Sequence, residues 1–147
     1  MKSYLLFFFS LIAFSVAAQS DFAGVWVGTI TQNEGGYRSE YYFEFHINEI
    51  DDDGLVYGKT FVKVDTIFAK MEFTGKIQSG VYLQFQESEI LTDKKFVGMD
   101  WCLKRGQLII RKDENEEFIL EGYWQGKTSF SECIPGKILL RRGVPRA

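Results

Sequence analysis

The sequence predicts an all-β protein, an antiparallel up-and-down barrel of eight or nine strands, and three observations carry that expectation. Beyond Asp21 the apolar residues alternate with polar ones, which is the two-residue period of a strand with one buried face. Clusters of turn formers interrupt these runs at short intervals, and no segment shows the three-to-four spacing of an amphipathic helix. The 147 residues are 46% hydrophobic and 25% charged, a balance far from that of disordered chains and sufficient for one domain with a sizeable core.

Residues 1–18 read as a secretory signal peptide: Lys2 precedes an apolar run from Leu5 to Val16, and small residues, Ala17 and Ala18, occupy the cleavage position. The apolar run is about a dozen residues long, short of the ~20 that span a bilayer. No Cys follows it, so no acylated amino terminus is expected. The mature chain, 19–147, is expected to be a single barrel domain, exported to the periplasm or the medium, and not membrane-spanning after the leader is removed.

Strands are expected near 22–32, 37–50, 55–64, 67–78, 81–91, 96–104, 107–112, 117–125 and 137–142. In the second, Tyr41, Phe43, Phe45 and Ile47 alternate with Tyr42, Glu44, His46 and Asn48. In the fourth, Ile67, Ala69, Met71 and Phe73 alternate with Lys70, Glu72 and Thr74, and Phe118, Leu120 and Trp124 repeat the arrangement later. Turns are expected at Asn33–Gly36, Asp51–Gly54, Ser79-Gly80, Arg105-Gly106, Lys112–Glu117 and Pro135-Gly136. Links this short make consecutive strands antiparallel neighbours, and closing the sheet removes the edges that would otherwise invite aggregation.

The segment Phe22-Ala23-Gly24-Val25-Trp26-Val27-Gly28-Thr29-Ile30 resembles the opening strand of lipocalin and avidin-like barrels, which carries a Gly-x-Trp element. The resemblance implies a lipocalin-like barrel in which Gly24 and Trp26 fill the motif and Trp26 plugs the base. It also implies that a basic residue of the last strand, Arg141 or Arg142, covers that indole, a stacking that seals the end without burying an unpaired charge. No counterpart of the second lipocalin motif and no biotin-binding set is present, so no ligand is implied. Trp101-Cys102 and Cys133-Ile134-Pro135-Gly136 are similar to segments of small secreted bacterial proteins, a likeness that carries no function with it.

Cys102 and Cys133 are the only cysteines, and in an exported domain they are expected to form one disulfide. His46 is the only histidine, with Glu44 two residues before it on the same strand face. A carboxylate beside an imidazole suits general base chemistry, but Tyr42, Glu44 and His46 read more simply as the solvated outer row of a strand. Asp51-Asp52-Asp53-Gly54 lacks the ligand spacing of a calcium loop and reads as a hairpin turn. Gly126-Lys127-Thr128 has no glycine at the start of a phosphate-binding motif and no following helix. Nothing implies a metal, a cofactor or an enzymatic activity, and acids outnumber bases, 20 to 17, which argues against nucleic acid as a partner.

Two functional readings remain. One is a binding module holding a small apolar or aromatic ligand in a cavity lined by Tyr41, Tyr57, Trp101 and Trp124. The other is a module with a filled core that binds another envelope protein through an exposed apolar patch, around Tyr42, Phe61, Phe68 or Tyr82. The many large rings favour filling, because an eight-stranded barrel is just wide enough to be packed solid or to hold one small molecule. An outer-membrane barrel would give the same alternation turned inside out, but Lys59 and Lys63 share a row with Tyr57 and Phe61 and speak against it.

Overall fold

Every alternating run forms a strand, and the strands close on themselves in the computed structural model, which describes residues 21–143. The expected leader, 1–18, and the last four residues of the chain lie outside the described residues. The strands are β1 (Gly24–Thr31), β2 (Glu40–Ile50), β3 (Leu55–Val64), β4 (Ile67–Gln78), β5 (Tyr82–Lys94), β6 (Leu103–Lys112), β7 (Phe118–Lys127) and β8 (Gly136–Arg142). Each pairs antiparallel with the next, and β1 pairs with β8 to complete an up-and-down barrel.

Eight strands form where nine segments were expected, because Arg105-Gly106 is not a turn and the segment expected as a strand at 96–104 is loop up to Cys102, with Leu103 opening β6. Gly106 sits in mid-strand, opposite Phe85 on β5 and Trp124 on β7. A Cβ there would approach the Tyr123 carbonyl oxygen to 2.3 Å and the Phe85 ring to 3.2 Å. The glycine lets the β7 backbone and the Phe85 ring approach closely, and residues 95–102 supply the connection from β5 to β6. The Asp51–Gly54 turn forms as expected: the Asp51 carboxylate accepts from the backbone N–H groups of Asp53 and Leu55, each at 2.9 Å, and Gly54 has φ +81°.

The inward rows fill the middle of the barrel with rings. Phe45 lies 4.2 Å from Phe73 and 5.2 Å from Phe85, centroid to centroid, and all three are buried. Each such side chain contributes roughly 1.5–3 kcal/mol through the apolar surface it removes from water. Beneath them Phe22 and Trp26, both fully buried, close one end, and the Trp26 indole N–H donates to the Phe22 carbonyl at 2.9 Å. The guanidinium of Arg142 lies 4.6 Å from the Trp26 ring and 5.4 Å from Phe118. The basic cover over the plug is therefore Arg142. Arg141, one residue earlier, faces outward and pairs with Asp113.

The exposed rows carry Lys59 and Lys63 on β3, Lys70 and Glu72 on β4, Gln84 and Gln86 on β5, and Arg105 and Gln107 on β6. A lipid-facing wall would put apolar residues there. On β2 the outward row of Tyr42, Glu44 and His46 is less solvated than expected, since Glu44 is only 1% exposed. Its carboxylate accepts from the Tyr42 hydroxyl at 2.6 Å and lies 2.7 Å from His46 Nε2.

The barrel wall parts at one place. β5 pairs with β6 only over Tyr82–Gln86, whereas its remainder follows β4 alone through two register shifts. Where β6 leaves, the Glu87 side chain takes over from the backbone and accepts the Lys104 N–H at 2.8 Å. The parting opens the end opposite Trp26.

Candidate functional site

At that end the loops 32–39, 95–102 and 128–135 converge over the last inward residues of the strands. Between them lies a chamber of about 260 Å³. Ile30, Val62, Ile67 and Lys104 form its floor, and Tyr41, Trp101 and Trp124 stand around it. The interior below is filled, so the cavity is a chamber at one mouth and not a barrel-long channel. Its volume lies just under the range of pockets for drug-sized molecules and suits a smaller guest.

Alternation on β7 turns Trp124 inward, and its indole N–H donates to the Thr31 carbonyl at 2.8 Å, which fixes the ring across the mouth. Tyr41, on the inward row of β2, donates to the Gln32 side-chain oxygen and accepts from the Arg38 N–H. Partial burial raises the pKa of its phenol. Trp101 comes from the 95–102 loop. Its indole nitrogen is sealed from solvent and has no acceptor among the described residues. An orphaned buried donor costs roughly 1–3 kcal/mol, and here that cost sits in the chamber wall.

Cys102 and Cys133 are joined across 31 residues with their Cα atoms 6.4 Å apart, as expected. The bond ties the 95–102 loop to the 128–135 loop, and on the chain-entropy account a closed loop of this length stabilises by roughly 3–4 kcal/mol. Both cysteines line the chamber, so the same bond holds two of its walls together.

Tyr57 does not join the others. On β3 the inward row is Val56, Gly58, Thr60 and Val62, and Tyr57 points outward with 43% of its surface exposed. The expectation that it lines the cavity is corrected by the strand's own alternation.

The floor holds a polar cluster that the sequence reading missed. Lys104 Nζ lies 2.9 Å from the Glu87 carboxylate, with side-chain exposures of 4% and 0%. The Thr60 hydroxyl donates to Glu87 at 2.6 Å, and the Lys104 ammonium also donates to the Cys102 carbonyl at 3.2 Å. It sits 5.6 Å from the Phe43 ring centroid. The signal was present: Glu87 continues the inward row Leu83, Phe85, and Lys104 continues Gly106, Leu108, Ile110. Reading Arg105-Gly106 as a turn cut that second row and hid its first member.

No family model, curated protein or solved structure matches this chain. The closed eight-stranded antiparallel architecture is consistent with the lipocalin-like barrel that the opening segment leads one to expect.

Proposed function

We propose that the protein is an exported binding module, without catalytic role, that holds a small, mainly apolar or aromatic molecule in the chamber at the open end of its barrel. The observation that carries this reading is the chamber of about 260 Å³ framed by Tyr41, Trp101 and Trp124 above an internally neutralised Lys104–Glu87 floor. Flat rings around a small apolar space favour a flat guest by stacking and edge contacts. A charge already paired with its counter-charge offers no net charge to an ionic ligand. The leader-like first eighteen residues and the disulfide support export to an oxidising compartment, periplasmic or extracellular.

Titration of the purified protein with N-phenyl-1-naphthylamine, a neutral aromatic probe, tests the proposal through probe fluorescence and quenching of tryptophan emission. Saturable one-to-one binding that weakens in Trp101→Ala supports it. Absence of binding, together with native mass spectra free of any co-purified small molecule, overturns it.

The parted β5 favours a second reading, that of an envelope interaction module. Between Ser88 and Lys94 the strand pairs with β4 on one side, apart from Ser88 and Leu91 at the register shifts, and not with β6 on the other, and Ile90 and Leu91 on this stretch are exposed. Such an edge can accept an added strand from another protein. A photo-crosslinker at position 90 that captures one defined envelope protein in the native host would favour this reading over the first.

A further inference from the structure

Away from the chamber, the outward face of β3 to β8 carries two cross-strand rows. One runs through successive pairings from Leu55 to Lys76, Gln84, Gln107, Tyr123 and Lys137. The row beside it runs from Tyr57 to Thr74, Gln86, Arg105 and Gln125. Neither contains a carboxylate, in a chain whose formal net charge is −3. Most of these residues border a shallow outer groove of about 1100 Å³.

The amides are held in a ladder. Gln78 Nε2 donates to Gln84 Oε1 at 3.2 Å, Gln84 Nε2 to Gln107 Oε1 at 3.5 Å, and Arg105 Nη2 to Gln125 Oε1 at 3.5 Å. A glutamine amide has two donor hydrogens and an oxygen with two lone pairs, so each retains capacity after these bonds. At either side stands an exposed ring, Tyr57 at 43% and Tyr123 at 69%. The Lys137 ammonium lies 5.4 Å from the Tyr123 centroid, which orients that ring at the groove margin.

We propose that this face binds an acidic polysaccharide laid across the strands. Strands are spaced about 4.8 Å apart, so each row presents a hydrogen-bonding group at intervals on the scale of one sugar ring. Sugar hydroxyls both donate and accept, as amides do. Tyr123 and Tyr57 supply flat surfaces for the C–H face of a pyranose, and Lys76, Arg105 and Lys137 meet carboxylate or sulfate groups in two rows that hold no carboxylate of their own. A protein partner would call for an apolar centre, and nucleic acid for a denser field of cations. Both rows instead centre on neutral amides.

Affinity electrophoresis of the purified protein through gels containing polygalacturonate, alginate or chondroitin sulfate tests this, with dextran and polyphosphate as comparisons. At least one acidic polysaccharide is expected to retard the protein at physiological salt, and dextran is not. Tyr123→Ala and Arg105→Gln should each weaken retardation about fivefold or more. Glu34→Gln, in the 32–39 loop, should leave it unchanged. The exposed positions of Tyr123 and Arg105 let both variants fold, which far-ultraviolet dichroism verifies. No retardation by any of the three acidic polymers, equal retardation by dextran, unaltered retardation of both variants, or equally tight binding of polyphosphate would each overturn the proposal.

Discussion

Lys104 and Glu87 form an ion pair at 2.9 Å inside the barrel, where almost none of either side chain reaches water. The pair closes the gap left where β5 and β6 part, since the same carboxylate accepts both the Lys104 ammonium and its backbone N–H. Taking two charges out of water is expensive, so the pair itself adds little net stability, whereas removing one partner strands the other. Lys104→Met is expected to destabilise by about 3–5 kcal/mol. Glu87→Gln combined with Lys104→Met should be less destabilised than Lys104→Met alone, because the amide oxygen still accepts the backbone N–H without carrying a charge. Urea unfolding of the three proteins checks this, and a double variant less stable than Lys104→Met would contradict it.

The neighbouring arginines of β8 make a contrast that a paired measurement can read. Arg142 covers the Trp26 plug and donates to the backbone carbonyls of Ala23, at 3.0 Å, and Asp21. Arg141 is half exposed and pairs with Asp113 at the surface. Arg142→Ala is expected to cost about 1–2 kcal/mol, from the lost cation–π contact and hydrogen bonds. Arg141→Ala should cost about 0–1 kcal/mol, as exposed ion pairs do. Equal unfolding midpoints for the two variants would refute the assignment of Arg142 as the cover.

Asp113 gives the barrel a specific acid sensitivity. Its carboxylate accepts first from the Glu117 N–H and then from Arg141 and the Asn115 N–H, and these bonds hold its pKa below the ordinary value of 3.8. A carboxyl depressed in the folded state stabilises fully above its unfolded pKa, and this contribution fades as pH falls through the folded one. The stability gap between the wild-type protein and Asp113→Asn should therefore be largest at neutral pH and shrink below about pH 4. Urea midpoints measured across that range would show it, and a gap constant with pH would exclude the mechanism.

Much of this architecture is legible from residue order because a strand's faces follow from a period of two, and that period survives in nearly every run. Inward Tyr41, Phe43 and Phe45, outward Lys59 and Lys63, and the Asp51–Gly54 turn all follow from local pattern and turn chemistry. The two errors have different causes. Gly106 looks like half of a turn in the sequence, but the Tyr123 carbonyl of β7 and the Phe85 ring of β5 are what call for a residue without a side chain there. Tyr57 shares the aromatic character of the chamber residues, but its own strand parity sends it outward.

Local order along the chain thus determined the strands, the faces they present and the cysteines available to be joined. It did not determine what meets at the mouth. Trp101, Trp124 and Tyr41 come from a loop and two strands far apart in the chain, and the Lys104–Glu87 pair depends on where β5 leaves β6. The carboxylate-free rows of glutamines and cations likewise exist only through cross-strand register. A period constrains neighbours two residues apart, whereas a site is made by partners brought together when β1 closes against β8, and that closure is a property of the assembled sheet.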